Sequence, residues 1–147
     1  MSSAPTRRLS QQLQELLGKL RADNDTERRR GMEEAALLSA DVLRPIYEEL
    51  LSQFQRDPRA LENRLGPQLV ELAVQKSELV SMLAQTLRRT PLGSIQPALA
   101  ITMKTLFAAR GQLPRDIEDV LQYWSQQTIS VPLARSSRRA LTSTGVH

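Results

Sequence analysis

Leucine recurs along this chain at the spacing of an α-helix. Leu9, Leu13, Leu16, Leu17 and Leu20 stand at i, i+4, i+7, i+8 and i+11, with Gln11, Gln12, Gln14 and Glu15 mostly opposite. That is the apolar stripe of an amphipathic helix over 7–22. Thr6 can cap its start. Asn24-Asp25-Thr26 ends it and caps the next.

A second helical segment follows over 26–43. Pro45 has no N–H and clashes with the preceding turn, so the pattern predicts a break near Asp41 to Arg44 and another helix over 45–55. One strongly bent helix is the alternative. Asp57-Pro58 opens a short helix over 58–65, which Gly66-Pro67 closes before a long one over 67–89. Leu69, Leu72, Leu79, Val80, Leu83 and Leu87 form the stripe of that long helix. Its heptad spacing is too short for a coiled coil and includes Lys76.

Thr90-Pro91-Leu92-Gly93 reads as a turn, and Ser94 as the cap of a helix over 95–110. Lys104 is the only charge inside it, so it is expected to be the buried central helix. Pro114 opens a helix over 114–127, in which Ile117, Val120, Leu121 and Trp124 recur at i, i+3, i+4 and i+7. The periodicity stops after Thr128. Residues 129–147 turn rich in Ser, Thr and Arg, and they read as an extended basic arm, with one helical turn conceivable over 134–141. The expected fold is therefore all-α: an irregular bundle of about six helices in a single domain, 1–128, followed by a C-terminal extended arm, 129–147.

Composition sharpens this picture. Aromatic residues are 3% and hydrophobic ones 40%, so the core must be aliphatic. A chain of 147 residues buries enough surface to fold without staples. There is no cysteine, and the one histidine is His147. Those two residue types carry most nucleophilic, acid–base and transition-metal chemistry near neutral pH. No Glu-x-x-His motif of a di-iron bundle occurs.

The remaining candidates for chemistry are weak. Glu33-Glu34, Glu48-Glu49 and the pair Asp116 and Asp119 read as solvated helix faces, and Ser10, Ser39, Ser77 and Ser81 have no histidine beside them. Gly93-Ser94 at a helix start reads as a cap before an anion site. The expectation is a protein that is not an enzyme and needs no metal, cofactor or small-molecule substrate.

Charge is unevenly spread. The net charge is +4 overall; residues 1–30 and 129–147 are basic, and 31–128 are slightly acidic. Arginine far outnumbers lysine, which either a GC-rich coding sequence or selection for bidentate phosphate or carboxylate binding explains. Arg28-Arg29-Arg30 crowds positive charge near the positive end of a helix, which calls for a partner or a neighbouring acid. These three are candidate phosphate contacts. Arg135, Arg138 and Arg139 lie in the arm, with Tyr123 and Trp124 at its root; all five are candidate partner contacts.

The expected function is an interaction or assembly subunit of a larger complex, of the kind found in viral or phage particles. Its partners would be other protein subunits, itself included. The alternative is a small nucleic-acid-binding or regulatory protein that contacts phosphates through its arginines. No aromatics interleave with those arginines to stack on bases. No stretch has the length of a transmembrane helix. The missing cysteines fit a reducing, cytoplasmic compartment. Arg7, Arg8, Lys19 and Arg21 on an amphipathic pattern loosely resemble a mitochondrial transit peptide, although an ordinary first helix accounts for them as well.

Overall fold

The computed structural model describes residues 10–56, 58–126 and 131–142. Among them the chain is all-α, with eight α-helices and two short 3-10 turns, Ser77–Leu79 and Leu92–Ser94, and no strand. The helices are α1 (Gln11–Leu20), α2 (Asp25–Ala36), α3 (Ala40–Arg56), α4 (Pro58–Gln75), α5 (Val80–Arg89), α6 (Ala98–Ala108), α7 (Arg115–Ser125) and α8 (Val131–Thr142).

The first helices start where short polar side chains can accept from free N–H groups. Ser10 Oγ accepts from the Leu13 amide at 3.2 Å. Thr6, the expected cap, lies outside the described residues. Asn24 Oδ1 accepts from Thr26 and Glu27 at 2.8 and 3.1 Å and starts α2. Gly31 is where α2 meets α1: a methyl group there would sit 3.1 Å from Leu20 Cδ2 and Lys19 Cβ and 3.2 Å from the Leu20 nitrogen. Glycine is thus what lets the two backbones approach this closely.

The long second segment does break, but earlier than proline chemistry suggested. Ser39 accepts from the Val42 amide at 3.3 Å and opens α3, so the interruption spans Leu37–Ser39 and not Asp41–Arg44. Pro45 lies within α3. Both Pro45 and Asp41 are exposed, so the carbonyl that loses its helical donor to the proline is on the solvent side.

Gly66-Pro67 was expected to divide two helices, yet α4 runs through both. A residue before proline is normally pushed out of the α region because its Cβ meets the proline ring. Glycine has no Cβ, so Gly66 escapes that restriction.

The expected 67–89 helix is instead cut at Lys76, whose backbone is extended at φ −124°, ψ 94°. The Lys76 ammonium donates to the Ala36 carbonyl at the end of α2 across 3.1 Å. The cut carries the one charge in the heptad stripe off the helix axis while Leu72 and Leu79 both remain buried.

The helix expected over 95–110 starts later, at Ala98, with Ser94 in the 3-10 turn. It ends before Gly111, whose φ of +140° favours glycine. Nor is α6 the central helix. Leu99, Ala100, Met103 and Phe107 are buried, but Ile101 is 36% exposed. The central position belongs to α4, which packs against α2, α3, α5 and α6.

The largest departure is at the C-terminus. Residues 131–142 were expected as an extended arm and form α8, which packs on α7 and α6. Its buried residues, Leu133, Ala134, Ser137 and Ala140, recur at helical spacing. Pro132 stands second in the helix, where no intrahelical N–H bond is required. The merger at Gly66-Pro67 is offset by the cut at Lys76, and with α8 added the described helices number eight where about six were expected.

The core runs unbroken from Leu16 in α1 to Ala140 in α8. Within it the Tyr47 hydroxyl donates to the Leu69 carbonyl at 2.7 Å, joining α3 to α4. Burial pushes the Tyr47 phenol well above its ordinary value. Native Tyr47 therefore keeps its proton at a pH where the unfolded chain, with a tyrosine pKa of about 10, has lost it. The resulting stabilisation is full below about pH 10 and falls away as pH climbs towards the raised native value. Tyr47→Phe is expected to cost about 1 kcal/mol at neutral pH. Its deficit against wild type should shrink above pH 10, as followed by urea unfolding at stepped pH; a constant deficit would contradict the assignment.

Candidate interaction surface

Charged side chains divide this molecule in two. In α1, α2 and α3 four cations have acidic partners, and Arg29 and Arg44 have none among the described residues. Lys19 pairs with Glu34, linking α1 to α2. Arg28 pairs with Asp25 and also donates to the Ala22 carbonyl at 2.7 Å. Arg30 pairs with Glu27 at 3.6 Å, and Arg56 with Glu49 at 3.7 Å. The neighbouring acids that Arg28-Arg29-Arg30 called for are thus Asp25 and Glu27, and Arg29 stands exposed between two paired neighbours. Among the described residues, α5 to α8 contain no ion pair.

Two arginines of this second half, Arg88 and Arg138, reach the last turn of α7. On α8, Arg135, Arg138 and Arg139 stand at i, i+3 and i+4, so they share a face. It is the face opposite Leu133, Ser137 and Ala140, and all three arginines are exposed. Arg138 Nε donates to the Ser125 carbonyl at 3.1 Å, satisfying one of the last acceptors of α7. On α5, which also packs against α7, Arg88 and Arg89 end the helix. The Arg88 guanidinium lies 5.2 Å from the centre of the Tyr123 ring, a cation–π distance. Arg88 from α5 and Arg138 from α8 thus each contact the last turn of α7.

This geometry pre-orders two guanidinium groups without neutralising either. The attraction of Arg88 to the Tyr123 ring is a cation–π contact and not an ion pair, so it leaves the positive charge in place. The single bond to Ser125 uses one of the five N–H donors of Arg138. Neither α5, α6 nor α8 contains an acidic residue, and the nearest acid on α7 is Asp119, one turn before Tyr123.

Trp124, by contrast, is 0% exposed and belongs to the core. It was grouped with Tyr123 as a candidate contact because both stand at the root of the tail, but adjacent helix positions point about 100° apart. Tyr123 is half-buried on the arginine side. Arg28, Arg29 and Arg30 are on α2, which packs on α1 and α4, and the structure does not bring them together with α8. Arg88 and Arg89 were not picked out in the sequence, where a helix C-terminus alone explains them; only the packing of α5 on α7 reveals their place.

Among the described residues, the other candidates have structural roles. Ser10 and Ser39 serve as caps. In the turn before α6, the Ser94 and Ile95 amides already donate to Pro91 and Leu92 at 2.9 and 3.2 Å, which removes them as anion donors. Among the described residues no group of three or more His, Cys, Asp or Glu side chains gathers as a metal site, and no helix is long and apolar enough to cross a membrane.

The chain matches no protein-family model, no curated protein and no solved structure.

Proposed function

We propose that this protein is a non-enzymatic binding protein, a subunit that works by docking into a larger assembly through the arginine face of α5, α7 and α8. The single observation that supports this is the face of α8: Arg135, Arg138 and Arg139 stand together and exposed on a helix that contains no acid, and Arg135 and Arg139 have no acidic partner among the described residues. Unmatched like charges on neighbouring helices disfavour the free protein modestly, and an anionic partner relieves that cost. A packed α8 also presents Arg135, Arg138 and Arg139 in a fixed register, so little ordering entropy is lost when they bind. The role expected of a loose arm is thereby reassigned to a rigid helix face.

The test compares partners recovered from the native source by tagged full-length protein and by R135Q/R138Q/R139Q, each with and without nuclease treatment. Capture should depend on the arginines. The same partners recovered in the same amounts by the variant would remove the arginine face from the function.

A further inference from the structure

Resting on that docking role, the geometry points to a specific partner class: we infer that the arginine face binds the phosphate backbone of double-stranded nucleic acid, independently of base sequence. Three features of the surface favour this over an acidic protein. Protein interfaces centre on buried aromatic or aliphatic anchors ringed by polar residues. Here Trp124 and Phe107 are buried in the core, the exposed apolar side chain of α8 is Val131, one turn before Arg135, and the exposed polar residues of these helices and their ends include Gln85, Gln122, Gln126 and Thr142. Such polar residues donate and accept hydrogen bonds to phosphate and sugar, and a single valine is a small apolar anchor beside them.

The cations are all arginine, whose planar fork meets two phosphate oxygens at once. They also come from two helices that both pack on α7. That arrangement spreads charge across a surface, as a duplex with a phosphate every few ångströms requires. Single strands are a poorer fit. Proteins that hold them stack bases on open aromatic rings, and the one aromatic ring on this face, Tyr123, is half-buried with Arg88 over it. An anionic membrane is a poorer fit for the same reason, because interfacial helices insert exposed Trp, Phe or Leu.

Fluorescence anisotropy with a labelled duplex of mixed sequence, about 20 base pairs long, tests this on the full chain. Titrations run from about 50 to about 200 mM salt, a range over which several phosphate contacts weaken binding by orders of magnitude. Wild type should bind duplexes of unrelated sequence with equal affinity and a steep negative salt slope. R135Q/R138Q/R139Q should bind at least about tenfold more weakly at low salt and lose up to about 0.9 of log–log slope for each phosphate contact removed. R28Q/R30Q, whose parent arginines are already paired, should leave the slope unchanged. Circular dichroism melts check that each variant is folded, and R88Q/R89Q gives a second test from α5 if the α8 variant fails to fold.

Three results would overturn the inference: no duplex binding at low salt, an unchanged slope in the α8 and α5 variants, or tighter binding to a single strand of the same length. If duplex binding is absent while arginine-dependent capture persists through nuclease treatment, the nucleic-acid inference falls and the docking role stands. If capture itself ignores the arginines, both fall.

Discussion

Ending the chain at Gln126 is expected to remove most or all of its folding free energy, although residues 127–147 look dispensable from their composition. Leu133 is 0% exposed, and burying a leucine stabilises by roughly 2 kcal/mol. Ala134 and Ala140 are buried with it and Leu141 partly so, at about 0.8 kcal/mol for each methylene-sized group. Removing α8 also uncovers the faces of α6 and α7 that it packs against. The sum is about 5 kcal/mol or more, comparable to the whole stability of an ordinary domain at roughly 5–15 kcal/mol. Urea denaturation of the truncated and full-length proteins measures this. An arm that merely reaches for a partner would leave the midpoint unchanged, and that result would contradict the packed helix.

Trp124→Ala is the point substitution expected to cost most, about 3–5 kcal/mol, the usual range for emptying a buried aromatic site. Trp124→Phe should cost distinctly less than a typical loss of that volume. The reason is local. Trp124 Nε1 is buried and has no hydrogen-bond partner among the described residues, and an unsatisfied buried donor costs about 1–3 kcal/mol. Phenylalanine leaves a cavity but removes that unmet donor, so the two effects oppose each other. Thermal melts of both variants decide it. A phenylalanine variant as unstable as the alanine one would mean that the indole N–H is satisfied in solution.

The helical class and much of the core were legible in the chain. Leu16, Leu17, Leu20, Leu69, Leu83, Leu87, Ile117, Val120 and Leu121 all lie on apolar stripes read from spacing, and all are buried. Large aliphatic side chains at a regular period leave a clear signal because each buries much area. The breaks were harder to read. Pro45 and Pro67 seemed to be decisive interruptions and both sit inside helices, because solvent exposure in one case and a preceding glycine in the other lower the cost of a proline. The real breaks, at Leu37–Ser39 and at Lys76, depend on a serine cap and on a lysine bond to a carbonyl forty residues away in sequence, and no local pattern reveals the second.

The last helix was missed because its buried face is made mainly of Ala134, Ser137 and Ala140. Small residues bury little area and resemble the residues of a polar tail. The candidate surface was half legible for the same reason. Arg135, Arg138 and Arg139 stood out by composition, whereas Arg88, Arg89 and the bond to Ser125 appear only once α5 and α8 are folded against α7.

The uneven pairing of charge also means that ionic strength acts on the two halves of the molecule with opposite sign. Added salt weakens the attractions that tie Lys19 to Glu34 and Arg28 to Asp25, and so loosens the α1–α2 corner. The same salt relieves the mutual repulsion of Arg135, Arg138 and Arg139 and so firms α8. Changes of a few tenths of a kcal/mol per pair largely cancel in the total stability. They do not cancel locally: added salt slightly favours the packing of α8 and slightly disfavours that of α1 on α2.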